Sequence, residues 1–216
     1  MIKKIKDIIK ELTKEDKGKI VIIDPSSLPE DRLGGPDTEP DMRTLGLFTT
    51  IEEEKNAELI HAMLYLNETN KLEKDEEKKR PIDFYISTYG GCADDMFAIY
   101  DTMRQVREET EIHTIGLGKV MSAGVLILAA GTPGKRKIGK YCRVMIHSVI
   151  AGSHGSLPNL ANEMEAIQQI QEDYIEALVS ETKMTEEDIK NMLERKVNVY
   201  LSAEEAVELG IADIII

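Results

Sequence analysis

Between Val120 and Gly131 the chain carries one polar side chain, Ser122, and no charge. The stretch Ala123–Ala130 reads as a short helix, and a helix without a polar face is stable only when it is buried on every side. That requirement constrains the fold more than any other feature, because the flanking segments must wrap around it. They are suited to the task. His113–Leu117 reads as a strand before it and Arg143–His147 as a strand after it. Upstream, Ile82–Ile86 is another apolar strand, followed by a helix over Asp95–Val106. Strands alternating with helices predict an α/β domain with a largely parallel sheet.

The rest of the chain divides around this centre. Ile2, Ile5, Ile8, Ile9 and Leu12 are spaced as one face of an amphipathic helix, suited to packing on its own domain or on a neighbouring subunit. Lys19–Ile23 reads as a short strand. Asp24–Met42, with four prolines and Gly34-Gly35, reads as a mobile arm. We therefore expect residues 1–42 to be an N-terminal helix and arm, and 43–216 to be the main domain. Within it, Leu45–Thr49 suggests a strand. Glu52–Tyr65 suggests a helix burying Ala57, Ile60, Met63 and Leu64, with His61 as a packing residue. The polar run Asn67–Lys79 suggests a solvated loop or helix end. Gly118–Ser122 reads as a turn. A Gly/Ser/His loop over Ile150–Pro158 precedes a long helix over Asn159–Glu181. Thr185-Glu-Glu-Asp188 and Ser202-Ala-Glu-Glu205 open two further helices with capping-box patterns, Gly210 ends the second, and Ile211–Ile216 closes the chain as a strand. No internal repeat is visible.

Charge narrows the partners. The balance of 27 basic against 40 acidic residues, a net of −13, argues against nucleic acid, because phosphate binding needs a basic face. No apolar run reaches the roughly 20 residues that span a bilayer, so no membrane partner is expected. Cys92 and Cys142 make no disulfide framework, which fits a reducing compartment, the cytoplasm. No Gly-x-x-x-x-Gly-Lys-Ser/Thr loop is present, so ATP is not an expected ligand of this chain. No metal or other cofactor is expected.

Two junctions carry chemistry. In Gly118-Lys-Val-Met-Ser-Ala-Gly124, Ser122 stands where the chain enters the apolar helix. There a nucleophile would have the N–H of Ala123 beside it to stabilise an oxyanion. The plainer reading is that Ser122 merely caps the helix. The second junction is Thr88-Tyr-Gly-Gly91, at the strand edge where open α/β sheets bind ligands. Consecutive glycines there can expose N–H groups. A serine nucleophile needs a base. His61, His113 and His154 sit on a helix, at a strand start and in a loop, whereas His147 ends the strand nearest Ser122. Position favours His147 over the others, with a structural role for it still open.

From Ile82 to Ile216 the sequence resembles the proteolytic subunit of the Clp protease, the ClpP family of serine peptidases. The family's Ser-Pro-Gly-Gly segment looks like Thr88-Tyr89-Gly90-Gly91, and its Gly-x-x-x-Ser-x-Gly turn matches Gly118 to Gly124. Its Leu-x-Ala-Ala-Gly stretch is similar to Leu128-Ala129-Ala130-Gly131, and Gly-Lys-Arg appears at Gly134-Lys135-Arg136. Met-Ile-His appears at Met145-Ile146-His147, and the closing motifs at Leu201-Ser202-Ala203 and Gly210 to Asp213. Residues 43–80 match loosely and 1–42 hardly at all. The resemblance implies a ClpP/crotonase-like repeated β-β-α superhelix with a protruding handle helix, the handle covering about 150–181. It implies Ser122 as nucleophile, His147 as base, and the N–H groups of Gly91 and Ala123 as the oxyanion hole. It also implies homo-oligomeric heptameric rings stacked as a tetradecamer, an inner chamber that admits unfolded polypeptide, and an AAA+ unfoldase as partner.

The third triad position departs from the family. Counting back from Tyr200-Leu201-Ser202, the place of the usual Asp holds Asn198. An Asn carbonyl can hold the imidazole tautomer but supplies no charge to an imidazolium. Tyr89 also replaces the family's proline, and Asp83 replaces a docking aromatic. The expectation is a serine endopeptidase of reduced activity. The alternatives are a catalytically weak or inactive structural subunit of the same family and, less favoured, an acyl-CoA enzyme of crotonase type.

Overall fold

The computed structural model describes residues 42–194 and 197–216, together with their packing. Apart from Met42, the expected N-terminal helix and arm lie outside the described residues. The order is β1 (Thr44–Leu47), α1 (Glu53–Leu72), β2 (Ile82–Thr88), α2 (Ala93–Val106), β3 (Ile112–Met121), α3 (Ala123–Ala129), β4 (Lys137–Ile138), β5 (Arg143–Ile146), α4 (Leu157–Glu181), α5 (Glu186–Glu194), β6 (Val199–Leu201), α6 (Ala203–Glu208) and β7 (Ile214–Ile215). The main sheet path is β1-β2-β3-β4-β7, all parallel. Strand β5 lies parallel to the far end of β3, and β6 runs antiparallel to β5. The expected parallel α/β sheet is present.

The apolar helix organises the core. Every residue of α3 is buried. It packs in one cluster with Phe84 and Ile86 of β2, Ile99 and Met103 of α2, and Ile175 and Leu178 of α4. Burying a Leu or Ile side chain contributes about 2 kcal/mol, so α3 anchors the packing of strands and helices alike. In α4 the burial is uneven: its first turns are largely exposed, and from Tyr174 to Leu178 it enters the core. That is the protruding handle, rooted at its C-terminal end.

Strand β3 does not end where the sequence suggested. Gly118–Ser122 is not a turn; β3 runs on to Met121 through a bulge, with Ile86 opposite Gly116 but Thr88 opposite Val120. Gly118, at φ +65°, makes the bend possible, a conformation that glycine adopts without a Cβ clash. The bend splits the strand's neighbours: residues before it pair with β4 and residues after it with β5. It therefore carries the end of β3 towards β5 and sets Met121 opposite Met145.

Helix α1 also differs from its expected form. It continues to Leu72, and the buried face is Asn56, Leu59, Met63, Leu66, Asn67 and Asn70. Ala57 and Leu64 are exposed, and so is His61, which is no packing residue. Within the polar run, which is otherwise mostly exposed as expected, Asn67 and Asn70 are buried because their amides are satisfied. Asn70 Nδ2 donates to Thr110 Oγ1 at 3.0 Å and to the Arg80 carbonyl at 2.9 Å, and Thr110 Oγ1 donates to Asn67 Oδ1 at 2.8 Å. A buried amide with partners costs far less than one without, so period counting on apolar residues alone missed this face.

Candidate active site

Ser122 sits at the junction of β3 and α3 with φ 54° and ψ −126°; it is the one non-glycine with positive φ among the described residues. Such a conformation costs on the order of 1–3 kcal/mol and persists only where the surroundings fix it. They do so on several sides. The Ser122 N–H donates to the Met145 carbonyl at 2.7 Å, tying the turn to β5. The Ser122 carbonyl accepts from Val125 N–H at 2.9 Å and from Tyr174 Oη at 3.2 Å. Ser122 stands in the N-cap position, yet its side chain makes no capping hydrogen bond. The plain capping role is therefore not the one it plays.

The glycine turn meets this junction. A Cβ on Gly90 would lie 2.7 Å from Ser122 Cβ and 3.1 Å from Ala123 N, so only glycine lets the two turns approach this closely. Gly90 has φ +99°, and its N–H donates to Thr88 Oγ1 at 3.0 Å. Next to it, Ile51 bridges Gly91 in parallel fashion: Ile51 N–H donates to Gly90 O at 2.9 Å and Cys92 N–H to Ile51 O at 2.9 Å. In a parallel bridge those bonds fall on the residues either side of Gly91, which leaves its own N–H pointing the other way. Among the described residues, neither Gly91 N–H nor Ala123 N–H donates to a protein group. Both line one pocket of about 400 Å³ with Ser122 and His147.

His147 is half-buried at the end of β5. Its Nδ1 lies 2.6 Å from the Ser148 carbonyl. A carbonyl only accepts, so Nδ1 carries a proton, and in the neutral ring the lone pair is on Nε2. This is the tautomer that a general base needs. No hydrogen bond joins Ser122 Oγ to His147 or Asn198 to His147 among the described residues. Asn198 is exposed and does not line the pocket; it is the residue before Val199, whose partner in the β5–β6 ladder is Ile146, the neighbour of His147. Of the remaining histidines, His113 lies 2.9 Å from Glu111 and 3.6 Å from Asp83, away from this pocket. His61 and His154 are exposed.

Two further groups line the pocket that sequence reasoning did not single out. Cys92 is a free, exposed thiol beside Gly91. Tyr174 of α4 brings a hydroxyl to the wall. Burial pushes its phenol well above the usual range, so it remains a donor. Cys142, by contrast, is buried away from the site, and burial pushes its thiol up to about 11. No group of three or more His, Cys, Asp or Glu converges as a metal site among the described residues, and no helix there is long and apolar enough to cross a membrane.

Comparison with known proteins identifies the lineage. The family model described as Clp protease matches residues 40–216, reaching back over the segment that resembled the family only loosely. ATP-dependent Clp protease proteolytic subunit 1 of Prochlorococcus marinus subsp. pastoris is 34% identical over 141 residues, 65% of this chain and 70% of that protein. The protein of the same name from Corynebacterium glutamicum is 31% identical over 195 residues, 88% of each chain. Proteolytic subunit 2 of Frankia casuarinae is 37% identical over 141 residues, 65% of this chain and 63% of that one. With a parallel sheet, a protruding handle and a serine at the strained junction already in place, these matches make the chain a member of the Clp protease family, the serine-type peptidases.

Proposed function

We propose that this chain is a self-compartmentalised serine endopeptidase acting on unfolded polypeptides. One observation carries the reading. A serine with an unengaged hydroxyl, held at positive φ, shares a pocket with two unengaged main-chain N–H groups and a histidine in the base tautomer. In this reading Ser122 Oγ attacks the scissile carbonyl carbon as its proton passes to His147 Nε2. The resulting oxyanion takes hydrogen bonds from Gly91 and Ala123 N–H. The imidazolium then protonates the leaving amine, and an acyl-serine remains. Water attacks it by the reverse relay, releasing the carboxylate and restoring Ser122. Asn198 takes the place of the usual Asp, and the Ser148 carbonyl orients the ring. In serine proteases of unrelated fold, an Asp-to-Asn change at this position costs about 10⁴ in kcat. A reduced rate follows for this chain.

The ATP dependence in the relatives' names supports an AAA+ unfoldase as partner. Family membership supports assembly into heptameric rings, stacked as a tetradecamer, with the handles at the ring–ring contact and the sites inside. Two free cysteines support a cytoplasmic location. A fluorophosphonate probe tests the chemistry: it labels the wild type and not Ser122→Ala. A second reading, a noncatalytic subunit, is favoured by Asn198 and by the missing hydrogen bond between Ser122 and His147. No labelling of the native particle, whose mass reports the ring number, would select it.

A further inference from the structure

The Tyr174 hydroxyl has one partner among the described residues, the Ser122 carbonyl at 3.2 Å. The phenol is 6% exposed and stands where α4 leaves the core. A buried hydroxyl normally keeps a hydrogen bond, because losing it leaves a polar group in apolar surroundings. The carbonyl it holds also matters. A trans peptide is planar, with its C=O and N–H pointing in opposite directions. The carbonyl of Ser122 and the N–H of Ala123 belong to the same peptide unit. Whatever fixes one end of that unit fixes the aim of the other.

We propose that Tyr174 is a positioning residue that aims and polarises the Ser122–Ala123 peptide, so that the handle helix sets the strength of one oxyanion donor. The inference rests on the peptidase reading of Ser122. Two features of the junction support it. The unit is already in a conformation that needs outside support, with φ 54° at Ser122. Its other carbonyl bond, from Val125 N–H, comes from within α3 and does not tie the unit to a second element. Tyr174 is the tie across elements. A hydrogen bond accepted at the C=O also strengthens donation from the N–H, by about 10–30% in condensed-phase estimates. The effect falls on the charged intermediate, not on the bound peptide, because the oxyanion exists only after attack.

The test uses the full-length assembled protein and its Tyr174→Phe variant, which keeps the ring and removes the hydroxyl. With a fluorogenic peptide, kcat per folded molecule should fall about threefold to tenfold, the size of one neutral hydrogen bond, with KM unchanged and the melting temperature lowered by no more than about 2–6 °C. Affinity for a peptide boronate, which forms an anionic tetrahedral adduct on the serine, should fall by the same factor. Wild-type kcat and boronate affinity in the variant would overturn the proposal. So would a fall in kcat with wild-type boronate affinity, since the lost hydroxyl would then not act on the oxyanion donor. A wild type that neither cleaves nor labels sinks the peptidase reading and this inference with it. A labelled wild type with an unchanged variant sinks the inference alone.

Discussion

Two regions of this domain carry family motifs and treat their polar groups in opposite ways. At Gly118–Gly124 and Gly90-Gly91, a hydroxyl and two N–H groups face a pocket with no partner in the protein. At Gly134–Arg136 and Gly210–Asp213, the two charged side chains, Arg136 and Asp213, are engaged with protein partners. Arg136 donates through Nε to Asp213 at 2.8 Å, through NH2 to Asp213 at 2.6 Å, and through NH1 to the carbonyls of Ala129 and Glu181. Asp213 also accepts from the N–H groups of Gly134 and Arg136. The first region keeps strain and unmet hydrogen bonds; the second ties α3, α4 and the last strand together. A motif match does not say which kind of region it marks. The engagement of its polar groups does.

The comparison breaks first if Ser122 proves structural. Ser122→Ala should lower peptide turnover by more than about a thousandfold, while melting within the scatter of wild type. Ser122→Gly should be equally inactive and no less stable, because glycine relieves the positive φ that serine is forced to hold. Paired activity and thermal-melting measurements check both. A large loss of stability in either variant would move Ser122 into the second class.

The opposite pattern is expected at the ion pair. Arg136 is 7% exposed in its side chain and Asp213 20%. Removing one partner of such a pair leaves a charge without compensation and costs about 3 kcal/mol. Asp213→Asn should therefore lower the denaturant midpoint markedly, while kcat per folded molecule stays near wild type. A selective loss of kcat at unchanged stability would overturn the structural assignment of this region.

Legibility in the sequence followed the same division. The uncharged run of α3 announced a buried helix, and the Ser202/Glu205 capping box forms as its pattern suggested. Ser122, Gly91 and His147 could be named as candidates because each stands at the strand edge where open α/β sheets bind ligands, and the fold brings them to one pocket. What was not legible depends on partners distant in sequence. Asn67 and Asn70 are buried only because Thr110 and Arg80 lie opposite them. The bulge that carries β3 past Gly118 is set by its pairing with β2 and β5. The Ser148 carbonyl that orients His147 is backbone, and no side-chain pattern reveals it. Tyr174 is one of several buried positions on α4, and only the fold shows that its hydroxyl ends at the Ser122 carbonyl.

Asn198 sharpens the comparison at smaller amplitude. It immediately precedes Val199, which pairs with Ile146 next to His147, and it is exposed. Asn198→Asp adds a charge beside a forming imidazolium. Turnover should rise on the order of tenfold, short of the full 10⁴ because the Ser148 carbonyl already holds the base tautomer. Stability should not change. Unchanged or lower turnover would mean that this site does not lack an acid.

The smallest effect is electrostatic and belongs to the engaged region. Burial pushes the Asp213 carboxyl up, but the hydrogen bonds and charge of Arg136 and the N–H of Gly134 outweigh it and hold the group below the usual carboxylate range. An unfolded Asp titrates near about 3.9. A folded value below that means the native state binds fewer protons than the unfolded chain in this window. The stabilisation is therefore complete above about pH 4 and is lost as pH falls through the folded value. Denaturant melts between pH 5 and pH 2 should show wild type losing stability more steeply than Asp213→Asn, which has no carboxyl to protonate there. Parallel slopes would mean that the pair contributes nothing through ionisation. The knot would then be held by the geometry of its hydrogen bonds alone, and its contrast with the pocket would rest on shape instead of charge.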